Sequence, residues 1–141
     1  MAQEIYIDQW FSPEMRSAGE RLVKRLHETG AEVASAFWLF DANENFWALY
    51  IISPLVATEG PKAYYKRIQD IINQAGPDEG ILSLHDLRVW STGHPLAKAL
   101  GKSQFNQATQ GNTRIGRSYI EGVYVADMYL YSMDRDLLRA A

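Results

Sequence analysis

Apolar residues recur at intervals of three and four between Ser12 and Gly30, which is the period of an amphipathic helix. Ser12 followed by Pro13 is typical of a helix start, because serine caps open amides and proline has no amide hydrogen to leave unpaired. Gly30 is a typical helix end. The apolar stripe of this predicted helix consists of Met15, Ala18, Leu22 and Leu26.

Two segments rich in aromatic and β-branched residues, 32–40 and 45–53, are separated by a short polar loop. This pattern predicts two antiparallel strands joined as a hairpin. At a period of two, both faces of the hairpin are apolar. Both faces therefore need cover, and we expect helices on one face and further protein, such as a second subunit, on the other.

Glycine and proline divide the rest of the chain into further elements. A second helix is predicted between Gly60 and Gly76, followed by a strand over 81–91 with an interruption near His85. A strand, a helix and a strand in this order favour a right-handed crossover with the two strands parallel. The remaining predicted elements are a short helix from Pro95, a last hairpin of strands 114–120 and 123–131, and a helical turn at the end of the chain.

These elements predict one domain, residues 1–141, of the α+β class. We expect a two-layer sandwich in which five strands form a mixed, mostly antiparallel sheet, with two longer helices and one short helix packed chiefly on one face. The order of elements is roughly α-β-β-α-β-α-β-β. At 141 residues the chain has the size of one ordinary domain and can bury a core without disulfides.

The net charge of -3 conceals an uneven distribution of charge. The 34 residues from 87 to 120 contain five basic residues and no acid, so this segment carries +5. The other nine basic and 17 acidic residues carry -8. The acid-free segment predicts either a polar surface that merely lacks acids or a surface that binds anions.

The sequence contains no cysteine, which excludes disulfides, thiol nucleophiles and sulfur-ligated zinc. Its first residues show no basic stretch followed by a long apolar run, as a signal peptide would. The longest apolar stretch, 46–52, has seven residues, against roughly 20 for a membrane-spanning helix. We therefore expect a cytoplasmic protein with no membrane contact.

A histidine stands where a predicted strand turns into a helix, in the stretch VWSTGHPLAKAL over 89–100. Because proline disfavours helical backbone in the residue before it, His94 is expected to cap the helix that begins at Pro95. The helix start, with Arg88 before it and Lys98 one turn in, is an expected site for a phosphate or a carboxylate. The alternative is a histidine that only caps the helix.

The last predicted hairpin adds Arg114 and Arg117 to this candidate anion-binding set. It also carries several tyrosines, and arginines beside aromatic rings on a sheet are typical of surfaces that bind single-stranded nucleic acid. Strict alternation places Tyr124 on the side opposite Tyr129 and Tyr131, so that the tyrosines do not form one platform. The acidic chain as a whole also disfavours nucleic acid.

Catalytic chemistry has few candidates. His85 and Asp86 are adjacent, but neighbours in a strand point to opposite faces, and alternation places His85 on the apolar side, as expected of a core histidine. Asp127 and His94 could join them only through folding. No phosphate-binding loop, nucleophile elbow or metal-ligand spacing is present, so we expect no cofactor and no metal.

Abundant aromatic residues without a catalytic constellation favour a noncatalytic binding or assembly module that self-associates, as a homodimer, through an apolar sheet face. One alternative is a protein that binds a phosphate-containing ligand or single-stranded nucleic acid through the acid-free segment 87–120. Another is an enzyme with an unrecognised site of histidine and aspartate.

Overall fold

Five strands form a single mixed sheet in the computed structural model, which describes residues 11–74, 82, 84–103 and 113–139. The strands are β1 (Ser35–Asp41), β2 (Phe46–Ile52), β3 (Leu87–Trp90), β4 (Thr113–Ile120) and β5 (Val123–Met133). Their order across the sheet is β3-β2-β1-β5-β4. β3 is parallel to β2 and the other pairings are antiparallel, which confirms the predicted mixed, mostly antiparallel sheet.

Five helices accompany the sheet within these described ranges: α1 (Pro13–Glu28), α2 (Leu55–Glu59), α3 (Pro61–Gln74), α4 (Pro95–Lys102) and α5 (Arg135–Arg139). All but α2 were predicted, and five residues are too few to show a helical period. α1 begins as predicted, because the Ser12 hydroxyl oxygen accepts a hydrogen bond from the Met15 amide at 3.1 Å. The end predicted for α3, at Gly76, lies outside the described residues.

The two faces of the sheet carry separate clusters of buried side chains, which we call face A and face B. Face A is covered by the two longer helices, α1 and α3, with Leu26, Ile68, Trp38, Leu49 and Ile51 in its cluster. Face B is covered by α4 and α5, with Phe37, Ile52, Leu96, Leu100 and Leu130 in its cluster. The longer helices share one face as predicted. The short helix α4 differs, because its apolar side packs on face B.

The β1–β2 hairpin is buried on both faces by helices of the same chain. Phe37 and Trp38, which point to opposite faces, are each 0% exposed, and Trp47 is 4% exposed. Burying a phenylalanine side chain contributes about 1.5–3 kcal/mol to stability. A second subunit is not needed to cover this hairpin, which corrects the reason given above for expecting one there. Phe46 and Tyr50 are half-buried on the part of face B next to β3.

β3 is shorter than predicted and forms one edge of the sheet. It has four residues and follows a 3₁₀ turn at Leu84–Asp86, where the interruption was predicted. Residues 81 and 83 of the predicted strand lie outside the described residues. The Tyr65 hydroxyl of α3 donates a hydrogen bond to the Leu87 carbonyl at 3.2 Å and accepts one from the Val89 amide at 3.3 Å. This hydroxyl takes the place of a further strand on the outer side of β3.

Candidate functional site

The sheet order separates the basic residues that the sequence groups together. Arg88 lies on β3, with His94 and Lys98 soon after it, whereas Arg114 and Arg117 lie on β4. β3 and β4 are the opposite edges of the sheet, four strand spacings or roughly 19 Å apart. The candidate anion-binding set therefore belongs to two separate surfaces.

The first surface, which we call the Trp90 patch, lies on face B at the β3 edge and consists of Phe46, Tyr50, Arg88, Trp90 and His94. Tyr50 pairs with Arg88 in the β2–β3 register, which puts both side chains on one face. The Trp90 and His94 ring centroids are 4.8 Å apart, and those of His94 and Tyr50 are 6.0 Å apart. Trp90 is 46% exposed. The patch therefore combines an open aromatic surface with a guanidinium.

Arg88 is held in place by its own contacts. Its Nη1 donates hydrogen bonds to the carbonyls of His85 and Leu87, each at 2.9 Å. Its guanidinium also lies over the Phe46 ring, 5.6 Å from the centroid, which is within the range of a cation–π contact. A cation that is already ordered loses little conformational freedom when it binds an anion.

His94 caps α4 as predicted. Its Nδ1 accepts a hydrogen bond from the Leu96 amide at 3.1 Å, so the neutral ring carries its proton on Nε2. Burial lowers the pKa of His94. Because Pro95 has no amide hydrogen and Leu96 donates to His94, the helix start offers an anion few open amides. Lys98 is exposed one turn further along α4.

Charge around Tyr50 is mixed. Burial raises the pKa of its hydroxyl, Arg88 opposes that increase, and the acids Asp41 and Glu44 add to it. Asp41 accepts hydrogen bonds from the amides of Asn43 and Glu44, within the loop that joins β1 to β2. Arg88 is therefore the charged group that lies within the patch itself.

The second surface, which we call the tyrosine face, lies on the β4–β5 hairpin and consists of Arg114, Arg117, Tyr119, Tyr124 and Asp127. Tyr119 and Tyr124 face each other across the two strands with ring centroids 5.2 Å apart, and they are 74% and 53% exposed. Arg114 donates two hydrogen bonds to Asp127, both at 2.7 Å. The positive charge of Arg114 is thus matched within the chain.

The tyrosine face lies on the same side of the sheet as face A. This placement arises because the side chains of β4 do not alternate strictly between the two faces along the whole strand. Ile115 and Ile120 are five residues apart, yet both pack into the face B cluster. Arg117, between them, has a positive φ of 45°, which breaks the regular extended backbone. Strict alternation therefore misplaces Tyr124, which lies on the same side as the face A residue Tyr129.

The candidate catalytic residues are not brought together. His85 is exposed in the turn before β3, where its ring contacts Phe46, so the prediction of a core histidine is wrong. The alternation of side chains between the two faces of a strand does not apply to His85, because the turn that contains it is not part of the strand. Asp86 lies in the same turn, but Asp127 lies on β5, with β2 and β1 between. Over the ranges that the structure describes, no three acidic or histidine side chains are grouped to hold a metal ion.

Two depressions lie beside α1. The crevice between α1 and α3 has a volume of about 20 Å³, which is room for a water molecule and too little for an organic ligand. An open groove of about 390 Å³ lies between α1 and the end of β5, and its lining includes Lys24, His27, Glu28 and Tyr131. Acidic and basic side chains both line this groove. Its lining therefore does not indicate whether a ligand would be positively or negatively charged.

Sequence analysis missed three members of the Trp90 patch, Phe46, Tyr50 and Trp90. The signal for Trp90 is present in the sequence, because it alternates with the apolar residue Val89 and so shares the side of Arg88. Tyr50 gives no such signal, since its place beside Arg88 depends on the pairing of β2 with β3.

No helix in the described part of the chain is long and apolar enough to cross a membrane. Comparisons of the chain with known protein families, with curated proteins and with solved structures find no match. Function is therefore inferred from the chemistry of the two surfaces.

Proposed function

We propose that the protein is a noncatalytic assembly module that forms a homodimer through the tyrosine face. The observation that carries the proposal is the exposed pair Tyr119 and Tyr124, whose rings lie side by side on the sheet. Large aromatic side chains that are exposed together are typical of protein interfaces, where they bury much area at a low cost in conformational entropy.

The position of the tyrosine face on the sheet supports this proposal. Further along β5, Tyr129 and Tyr131 are only 8% and 6% exposed, and both belong to the face A cluster. Of the helices that the structure describes, neither α1 nor α3 packs extensively on β4. Among the described residues, these two helices therefore leave the rings of Tyr119 and Tyr124 exposed, as a contact with a second copy of the chain requires.

Charge also favours a second copy over nucleic acid. Strands β4 and β5 and the turn between them carry two arginines, Arg114 and Arg117, and two acids, Glu121 and Asp127, so their net charge is zero. In a twofold dimer each surface meets its own copy, and a surface with both signs of charge can complement itself. Nucleic acid would need surplus positive charge, which the bond from Arg114 to Asp127 reduces.

Sedimentation velocity of the full chain, over roughly 1 μM to 1 mM, tests the proposal in the range where weak dimers dissociate. We expect the mass to rise from one chain to two. Tyr119→Ser combined with Tyr124→Ser should raise the dissociation constant at least about tenfold, because truncating aromatic residues at an interface removes much of its binding energy. Trp90→Ser, on the opposite edge, is the matched control and should leave the dimer unchanged.

Two outcomes would contradict the proposal. One is the mass of a single chain at every concentration. The other is a dimer whose dissociation constant does not respond to the two tyrosine substitutions. Near-UV circular dichroism checks that each variant is folded, as expected for exposed positions whose substitution usually changes stability by less than about 0.5 kcal/mol.

A further inference from the structure

Trp90 is an exposed tryptophan on the edge of the sheet opposite the tyrosine face. It is 46% exposed, whereas Trp38 and Trp47 are 0% and 4% exposed. An indole ring offers a large, flat apolar surface that gains free energy when it is covered. The open side of Trp90 is therefore a candidate surface for stacking on a ligand.

The Trp90 ring is fixed by its neighbours. It packs against the His94 ring, which is held in turn by the Leu96 amide at Nδ1 and by contact with Tyr50. The Nε2 hydrogen of the neutral His94 ring is thus a donor close to the indole. A flat apolar surface and a polar hydrogen are held side by side.

Arg88 supplies a positive charge on the same face of β3, where its guanidinium lies over Phe46. Arg88 and Trp90 are two residues apart on β3, so their side chains leave the same face roughly 6.6 Å apart. A guanidinium has five N–H donors, more than the two bonds from Nη1 to the carbonyls of His85 and Leu87 use. Lys98, exposed one turn beyond His94, adds a second positive charge on the α4 side.

We infer that the Trp90 patch binds a small aromatic oxyanion, in which a flat ring carries a carboxylate or a phosphate. The ring stacks on Trp90, while the oxyanion accepts hydrogen bonds from Arg88 and from Nε2 of His94. Both parts of the ligand are needed, because one exposed ion pair or one stacking contact alone is weak in water. This inference does not depend on the proposed homodimer, since the two surfaces lie on opposite edges of the sheet.

An NMR titration of the isotope-labelled full chain, followed at the Trp90 indole N–H, tests the inference. Benzoate and phenyl phosphate combine a ring with an oxyanion, whereas benzyl alcohol supplies the ring alone and acetate the charge alone. We expect benzoate or phenyl phosphate to bind at least about tenfold more tightly than either partial probe, because ring and charge are bound together. The preference between the two identifies the acid group of the ligand.

Variants of the patch separate the roles of its residues. Arg88→Gln and Trp90→Leu should each weaken binding at least about fivefold, by removing a charge-assisted hydrogen bond and the stacking surface. His94→Asn keeps a side chain that can cap Leu96 but removes the Nε2 donor, so it should weaken binding less. Lys62→Gln removes an exposed charge on α3, on the other side of the sheet, and is the control that should not change the affinity.

Three results would overturn the inference. The first is the absence of a saturable shift with both benzoate and phenyl phosphate. The second is unchanged affinity in Arg88→Gln and Trp90→Leu. The third is equal affinity for acetate and benzoate, which would mean a general attraction of anions in which the ring takes no part.

Discussion

Gly19 lies in the middle of α1, directly against a buried pair of side chains on face A. The Tyr131 hydroxyl accepts a hydrogen bond from Trp38 Nε1 at 2.9 Å and donates one to the Arg16 carbonyl at 2.5 Å. A Cβ atom on Gly19 would lie 2.5 Å from the Tyr131 hydroxyl oxygen and 2.7 Å from Trp38 Nε1. Only glycine lets α1 approach the sheet this closely.

We expect Gly19→Ala to lower the free energy of unfolding by about 1–3 kcal/mol, because the new methyl group overpacks the site. The sign is informative, since the same change in an exposed helix interior raises stability by about 1 kcal/mol. Urea denaturation measures the change. Gly116→Ala is the control, because its Cβ would meet nothing closer than 3.8 Å. A Gly19→Ala variant as stable as wild type would contradict this close packing of α1 on the sheet.

His94 gives the stability of the protein a defined dependence on pH. Burial lowers the pKa of His94 in the folded state, and the cap requires an unprotonated Nδ1 to accept from Leu96. The unfolded chain keeps a histidine pKa of about 6.5 and so binds the proton more readily. The stability that this cap contributes is therefore present above about pH 6.5 and is lost as the pH falls through the pKa of the folded state.

His94→Asn should reduce this loss, because asparagine can cap the helix and does not titrate. We expect the free energy of unfolding of the variant to fall less than that of wild type between about pH 7 and pH 5. Chemical denaturation at several pH values measures the difference. Equal slopes for the two proteins would show that His94 is not responsible.

At the scale of the elements, the β3 edge of the sheet has a specific feature. Tyr65 satisfies the outward-facing carbonyl of Leu87 and amide of Val89, so the β3 edge is closed by a side chain. A closed edge resists pairing with strands of other molecules. The β3 edge is therefore suited to present the Trp90 patch without attracting a further strand.

Tyr65→Phe should open this edge while keeping the ring in place. We expect faster hydrogen exchange at the Val89 amide and a loss of about 1 kcal/mol in stability, because two hydrogen bonds to the backbone disappear. NMR measures the hydrogen exchange rate of the Val89 amide, and chemical denaturation measures the free energy of unfolding. Tyr124→Phe, which removes an exposed hydroxyl, is the matched control. Unchanged exchange at Val89 would rule out this role of Tyr65.

The elements themselves were largely predictable from local signals. Ser12 and Pro13 marked the start of α1, and His94 before Pro95 marked the start of α4, because caps and prolines act on their immediate neighbours. The alternation along β4 was not predictable. The face on which each β4 side chain lies depends on the positive φ of Arg117. Arginine rarely adopts this conformation, and no neighbouring residue in the sequence predicts it.

At the scale of the whole molecule, the mixed sheet was predictable but its strand order was not. Neighbours in sequence pair by local turns, whereas the pairing of β1 with β5 joins strands with six helices and strands and more than half of the chain between their ends. The acid-free segment 87–120 shows the consequence for function. Its basic residues are close in sequence, yet the fold distributes them to opposite edges, so that one predicted site became two surfaces.

The pairing of β1 with β5 also governs how the chain emerges during synthesis. Ser35 lies opposite Met133, so β1 leaves the ribosome long before its partner exists. At about 5–20 residues per second, the wait lasts roughly 5–20 s. Throughout that time the nascent polypeptide has β2 beside β1 on one side only. The opposite side of β1 then has unpaired backbone amides and carbonyls, and such unpaired strand edges favour aggregation until β5 has been made.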